Sequence, residues 1–361
     1  MEPRDLSSHV AYRAGRGIEE VARDLGMDPD DLVKLSSNEN PFGPSPAAAE
    51  AVQEAATDLH IYPKAVHADL TDAIAEQWGL TAEQVWLAPG ADGALDLLAR
   101  AFLEPGDRAL VPEPGFAYYP MSARYTNAEV DSYRLSKAED FAQSPETVME
   151  AYDGHRVVYL TTPHNPTGSE LSLSAVETVA DRTDEETLVV VDEAYGEFSE
   201  APAARRLLDD REGVAVLRTF SKAYGLAGLR VGYALVPEAW ADAYGLVNTP
   251  FAVNSVACRA GLAALDDDDH VEQTVETTRW AREYMHEHLE AHTWESGGNF
   301  VLAEVGDAAA VVEAAQRQGV IIRDCTSFGL PDCVRVSCGT REETREAVGV
   351  LNNVLAEVLA G

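Results

Sequence analysis

Cysteine, positive charge and long apolar runs are all in short supply in this 361-residue chain. The four cysteines, Cys258, Cys325, Cys333 and Cys338, include no Cys-x-x-Cys pair. That spacing argues against a zinc ribbon or a disulfide framework and leaves reduced, cytosolic thiols as the expectation. No uninterrupted apolar run approaches a bilayer span, and the first ten residues hold no apolar core of signal-peptide length, so a cytoplasmic location is expected. Lysine and arginine number 27 against 62 aspartates and glutamates, a formal net charge of −35. Such a surface repels nucleic acid and anionic membranes. The acidic residues are scattered through otherwise ordinary segments, which suits solubility in the salt-rich cytoplasm of a halophile. Apolar residues, by contrast, make up 46% of the chain and support a globular core. Single cores stop growing near about 250–300 residues, so a large domain and a smaller one are expected.

Chemistry-bearing residues concentrate in Arg218-Thr-Phe-Ser-Lys-Ala-Tyr-Gly-Leu-Ala-Gly-Leu-Arg230. The apolar run Val214 to Leu217 reads as a buried strand that delivers Thr219, Ser221 and Lys222 to a glycine-rich turn closing on Arg230. Hydroxyls and an arginine suit a phosphate, and a lysine among apolar and aromatic residues can lose its proton and attack a carbonyl.

Upstream, Ile18 to Leu25 has helical spacing. The stretch Lys34 to Pro46 is too rich in Asn, Gly and Pro for a regular element and reads as a linker or as a fixed loop at the rim of a site. Helices are expected from about Ala47 to Ala56 and Asp69 to Trp78, with Tyr62 in the loop between them. The strand Val85 to Ala88, the turn Pro89-Gly-Ala-Asp-Gly93 and a helix from Ala94 to Leu103 form an arrangement that presents backbone N–H groups to an anion. Beyond it, strands at Ala109 to Val111, Val130 to Tyr133, Val157 to Leu160, Leu188 to Val191 and Val214 to Leu217 alternate with helices near Tyr118 to Tyr125, Ala175 to Arg182 and Ala203 to Leu208. This alternation implies an α/β fold with a mostly parallel sheet, whose ligands collect beyond the carboxyl ends of the strands.

Three loops at those ends carry unusual residues. Asn165, in Thr161-Thr-Pro-His-Asn-Pro-Thr-Gly168, offers an amide able to hold a phenolic or carbonyl oxygen; an Asn-Pro turn is the plainer alternative. Asp192 ends an apolar strand and must find a cation or a donor; it could hold a protonated ring nitrogen or cap a helix, with Tyr195 nearby. Phe116 reaches the same edge and gains a role only from that context. The run Asp266 to Asp269 reads as a solvated helix start. His288 and His292, four apart on an expected helix, have a spacing compatible with metal but no third ligand, and no metal is expected.

Gly90-Ala-Asp-Gly93, Asn165-Pro-Thr-Gly168, Asp192-Glu-Ala-Tyr195 and Ser221-Lys222 with Arg230, in that order, resemble the signature of fold-type I pyridoxal-phosphate transferases of aminotransferase class I/II. More narrowly, Leu35 to Pro46, Arg218 to Gly232 and Val334 to Glu343 resemble the histidinol-phosphate aminotransferases. The resemblance runs from about Tyr12 to the C-terminal helix. It implies a large cofactor domain over 35–248, with a seven-stranded type of sheet flanked by helices, and a smaller α+β domain from 1–34 and 249–361. It implies pyridoxal 5'-phosphate, bonded through its aldehyde to Lys222, which would then carry the proton of the reaction. Asp192 would pair with the ring nitrogen, Asn165 and Tyr195 would hold the ring oxygen, and Phe116 would stack on the ring. The Ala91 and Asp92 amides, Thr219, Ser221 and Arg230 would grip the phosphate. Tyr62 would reach the phosphate in the partner of a homodimer with shared active sites.

On the substrate side Arg335, in the strand-like Cys333 to Ser337, matches the arginine that most relatives use for a substrate carboxylate, and Arg323, after Gly319-Val-Ile-Ile, matches the second arginine of the histidinol-phosphate aminotransferases; Tyr12 and Asn38 would line the imidazole end. Two guanidinium forks suit a dianion with three acceptor oxygens better than a single carboxylate. The expected reaction is transamination of histidinol phosphate with 2-oxoglutarate. Alternatives are an aromatic or aspartate-type aminotransferase, the threonine-phosphate decarboxylase of cobalamin synthesis, and a non-enzymatic cofactor-binding regulator, against which the intact Lys222 stands.

Overall fold

A computed structural model gives the structure of the chain, describing residues 6–7, 9, 11, 17–64 and 67–360. Twelve strands among these residues form two sheets. In chain order they are β1 (Val33–Leu35), β2 (Val85–Ala88), β3 (Arg108–Glu113), β4 (Glu129–Arg134), β5 (Val157–Thr161), β6 (Leu188–Asp192), β7 (Val214–Thr219), β8 (Gly232–Leu235), β9 (His292–Thr293), β10 (Phe300–Glu304), β11 (Val320–Asp324) and β12 (Cys333–Ser337).

The seven-stranded sheet has the order β2-β8-β7-β6-β5-β3-β4. All its pairings are parallel except those of β8 with its two neighbours. Strands β5, β6 and β7 are buried along their whole length, and that is why they read as continuous apolar runs rather than alternating ones. Their successive side chains still go to opposite faces. Val189, Val191, Val214 and Val216 join one core cluster, while Leu188, Val190, Ala215 and Leu217 join the other.

Helices cover both faces, and several begin where the sequence supplies a cap. Ser45 accepts from the Ala48 N–H at 3.2 Å ahead of the helix Pro46–Ala55, and Ser172 accepts from the Ala175 N–H at 3.2 Å ahead of Leu173–Arg182.

The five-stranded sheet has the order β1-β11-β12-β10-β9, with β1 parallel to β11 and the other pairs antiparallel. The helices Asp268–His288, Ala308–Arg317 and Arg341–Ala360 pack on one of its faces around Val301, Val311, Val336 and Leu351. Val334 and Val336 belong to that core, so period-two alternation turns Arg335 of the same strand the other way.

Several local expectations are corrected. The helix after β2 spans Gly90–Phe102, so Gly90, Ala91 and Asp92 form its first turn rather than a preceding loop. The segment Ala204–Asp209 is a 3-10 helix. His292 lies in β9, beyond the end of the helix that His288 closes, so the two histidines do not share a helix face. Among the described residues no helix is long and apolar enough to cross a membrane.

Candidate active site

Parallel pairing in register brings the carboxyl ends of β5, β6 and β7 to one edge, with Thr161 opposite Asp192 and Asp192 opposite Leu217. The loops that follow carry Asn165, Tyr195 and Lys222. A buried ion-pair cluster beneath them ties the strands together. Arg218 of β7 donates to Glu193 at 2.9 Å and Glu197 at 2.7 Å and stacks 4.8 Å from the Trp78 ring.

Over this edge lies a pocket of about 630 Å³. Lys222, Asp192, Asn165, Tyr195 and Phe116 stand in its wall, and so do Ala91, Asp92, Thr219, Ser221 and Arg230. Arg323, Arg335 and Asn38 line it as well. Tyr62 is 80% exposed, stacks on Phe251 at 5.2 Å and does not line this pocket. Tyr12 lies outside the described residues.

The Lys222 Nζ stands 3.4 Å from the Ser37 carbonyl and 5.6 Å from the centre of the Tyr195 ring. Asp192 is buried, and burial pushes its carboxyl above the usual range. Two hydrogen bonds work against that shift: Tyr119 donates its hydroxyl to Oδ2 at 2.6 Å, and the Ala194 N–H donates to Oδ1 at 2.9 Å. Thr161 completes the chain with its Oγ1 2.9 Å from the Tyr119 oxygen.

The Tyr195 hydroxyl accepts from Asn38 Nδ2 at 3.0 Å. Asn38 is itself fixed, since its Oδ1 accepts from Ser337 Oγ at 3.0 Å and its carbonyl from Asn299 Nδ2 at 3.1 Å. The side chain expected at the imidazole end is thus engaged in holding Tyr195 to β12.

Arg323 and Arg335 are directly opposed in the register of β11 and β12. Arg335 donates to Asn165 Oδ1 and to the Ser36 carbonyl, the latter at 3.1 Å, and lies over the Phe300 ring. One amide thus joins the large-sheet loop to the small-sheet arginine. Arg323 donates to Ser327 Oγ at 3.2 Å.

The first turn of Gly90–Phe102 follows Pro89, whose side chain supplies no cap, so its N–H groups are suited to an acceptor. Gly90 has φ +80°, and a Cβ there would stand 2.5 Å from Arg230 Nη2; a Cβ on Gly232 would meet the Ala91 nitrogen at 2.7 Å. Both glycines keep open a cradle that any side chain would fill. Arg230 itself adopts φ +55°, reaches Ser221 Oγ at 3.3 Å and pairs with Asp92 at 3.0 Å. Burial raises the Asp92 carboxyl above its ordinary value.

Sequence reasoning missed Tyr119, Phe300, Ser327 and Phe328. Each is an ordinary aromatic or hydroxyl residue whose only signal is its place in the folded chain, which no local pattern gives.

A phosphate cradle, an amine, and a buried carboxylate stand around one pocket at the carboxyl edge of a parallel sheet. These residues fit pyridoxal phosphate, and with the fold they define a fold-type I pyridoxal-phosphate-dependent aminotransferase. The chain belongs to the aminotransferase class I and II family, whose profile matches residues 30–351. It is 67% identical over 360 residues to the histidinol-phosphate aminotransferase of Haloarcula marismortui, covering 100% of each chain. It is also 67% identical over 355 residues to that of Natronomonas pharaonis, covering 98% of this chain and 100% of the relative. The crystal structure of histidinol-phosphate aminotransferase from Sinorhizobium meliloti with pyridoxal-5'-phosphate superposes with a TM-score of 0.88 at 26% identity, covering 98% of each chain.

Proposed function

We propose that the chain transfers the amino group of L-histidinol phosphate to 2-oxoglutarate, giving imidazole-acetol phosphate and glutamate. The observation that carries this reading is the opposed pair Arg323 and Arg335 on the wall of the pocket that holds Lys222. Like charges directly across a strand pair are destabilising, and a substrate phosphate offsets that repulsion with charge-assisted bonds to both. The high identity of the histidinol-phosphate aminotransferases over the full chain supports the same reading.

In this reading Lys222 holds the cofactor covalently and, once released, moves the proton at the substrate's Cα. Pyridoxal phosphate, when bound, supplies the electron sink for that proton transfer. Asp192 would pair with the ring nitrogen, with the Tyr119 and Ala194 donors favouring its charged form against the effect of burial. Asn165 and Tyr195 would hold the ring oxygen and Phe116 would cover the ring. Thr219, Ser221, Arg230 and the Ala91 and Asp92 amides take the phosphate. The substrate spans the cleft between a cofactor domain over 35–248 and a small domain from the flanking segments. We also infer a cytoplasmic homodimer in which the exposed Tyr62 completes the partner's cofactor site. Leu59, Ile61 and Phe251, exposed beside it, support that surface as the interface.

The test is a panel of amino donors with cofactor-loaded protein. Histidinol phosphate should be converted well and Lys222→Ala should lower the rate by about 10²–10⁴-fold or more, with loss of the substrate-induced absorbance shift. Arg323→Ala should impair the phosphorylated donor alone. Efficient use of aspartate or aromatic donors with no turnover of histidinol phosphate would overturn the reading.

A further inference from the structure

We propose that Phe328 is a specificity-determining residue: its ring carries the guanidinium groups of both Arg323 and Arg335 and sets them as a pair matched to a phosphate. The inference rests on the reading of these two arginines as the substrate's phosphate site. The Arg323 guanidinium lies 5.6 Å, and that of Arg335 5.9 Å, from the Phe328 ring centroid. Two cations at opposed positions repel, and an aromatic face shared by both supplies attraction without neutralising either. A carboxylate in the same place would also hold them, but it would occupy the donors that a substrate anion needs.

The ring is well placed to act as a fixed platform. Phe328 ends the 3-10 helix Thr326–Phe328 between β11 and β12, and the turn is closed by Phe328 N–H to Cys325 O at 2.9 Å and Leu330 N–H to Cys325 O at 3.1 Å. Gly329 follows with φ +82°, a conformation that lets the chain reverse directly after the ring. The ring also packs against the large core cluster to which the buried Cys325 and Leu330 belong. The platform therefore does not follow the arginines if they move.

The two arginines depend on it unequally. Arg335 is fixed as well by Asn165, Ser36 and the Phe300 ring, 5.3 Å away. Arg323 stands on the more exposed flank, where it donates to Ser327 Oγ at 3.2 Å. Loss of the Phe328 face thus removes a contact that helps set the Arg323 guanidinium, and the cost falls on an anion that needs two forks rather than one. The phosphorylated donor is affected; the dicarboxylic acceptor is largely spared.

The experiment compares cofactor-loaded wild type, Phe328→Leu, Phe328→Tyr, Arg323→Ala and the Arg323→Ala/Phe328→Leu double variant. Phe328→Leu should raise the KM for histidinol phosphate about tenfold and weaken inorganic phosphate binding in parallel, with kcat and the KM for 2-oxoglutarate within about twofold. Phe328→Tyr, which keeps the ring face, should restore wild-type values, and Phe328→Leu should add nothing in the Arg323→Ala background. Unchanged phosphate binding in Phe328→Leu, equal loss for both substrates, or no rescue by tyrosine would overturn the proposal. Should the wild type fail to convert histidinol phosphate, the functional reading falls, while the inorganic phosphate titration still decides the role of Phe328.

Discussion

His164 sits in the loop beside Asn165, fully buried, with Nδ1 2.8 Å from Thr167 Oγ1, and burial pushes its imidazole down to about 3. The folded chain holds this ring neutral, whereas the unfolded chain protonates it below its ordinary value of 6.5. Its contribution to stability is therefore complete above that value and is lost as pH falls toward the folded pKa, at up to about 1.4 kcal/mol per pH unit. Urea midpoints between neutral and mildly acidic pH should fall less steeply in His164→Gln than in the wild type; identical slopes would show that the ring is not the group responsible. Lys222 and Asp192 were legible in the sequence because a charged residue at the end of an apolar strand has few reasons to be there. Tyr119 was not. An aromatic residue one helix turn from Phe116 reads as core, and only the register of β5 and β6 reveals that its hydroxyl meets Asp192.

At the scale of elements, the loop after β7 is held by contact with the loop after β1. Gly225 has φ +69°, and a Cβ there would stand 2.1 Å from the Gly43 carbonyl, so the two loops touch backbone to backbone beside Lys222. Gly225→Ala should destabilise the fold by about 1–3 kcal/mol. Gly228→Ala, three residues on, with nothing within 4 Å, should stay within about 0.5 kcal/mol. Denaturant midpoints of the two variants provide the comparison, and equal midpoints would dismiss the contact. Strands β5, β6 and β7 could be read directly as valine-rich runs bounded by turns. Strand β8 opens on Gly232 just after the glycine-rich turn that closes on Arg230, so it reads as part of that turn, and β1 finds its partner only across the chain in β11. Non-local pairing leaves no local mark, which is why most of the five-stranded sheet was not anticipated and His292 was placed on a helix.

For the whole molecule, a net charge of −35 means that the folded chain carries a large excess of mutually repelling carboxylates. Screening decides how much that costs, because the Debye length shrinks from about 10 Å at 0.1 M salt to about 3 Å at 1 M. Melting midpoints should rise steadily with potassium chloride over that range, and sedimentation at the upper end should give twice the 39.0 kDa chain mass. A midpoint indifferent to salt, or a monomer at high salt, would contradict the self-repulsion and the shared interface respectively. The same molecule sets Lys222 and Asp192 at the edge of one sheet and its paired arginines on the other, with the Asn165 to Arg335 hydrogen bond joining the two across the pocket. The gap between the sheets then works as a gauge. Under the proposed assignment of Lys222 to the amine end and the arginines to the phosphate, a substrate is accepted when the distance from its amine-bearing carbon to its anionic end matches the separation built into the two frameworks. Selection is therefore by length as well as by charge.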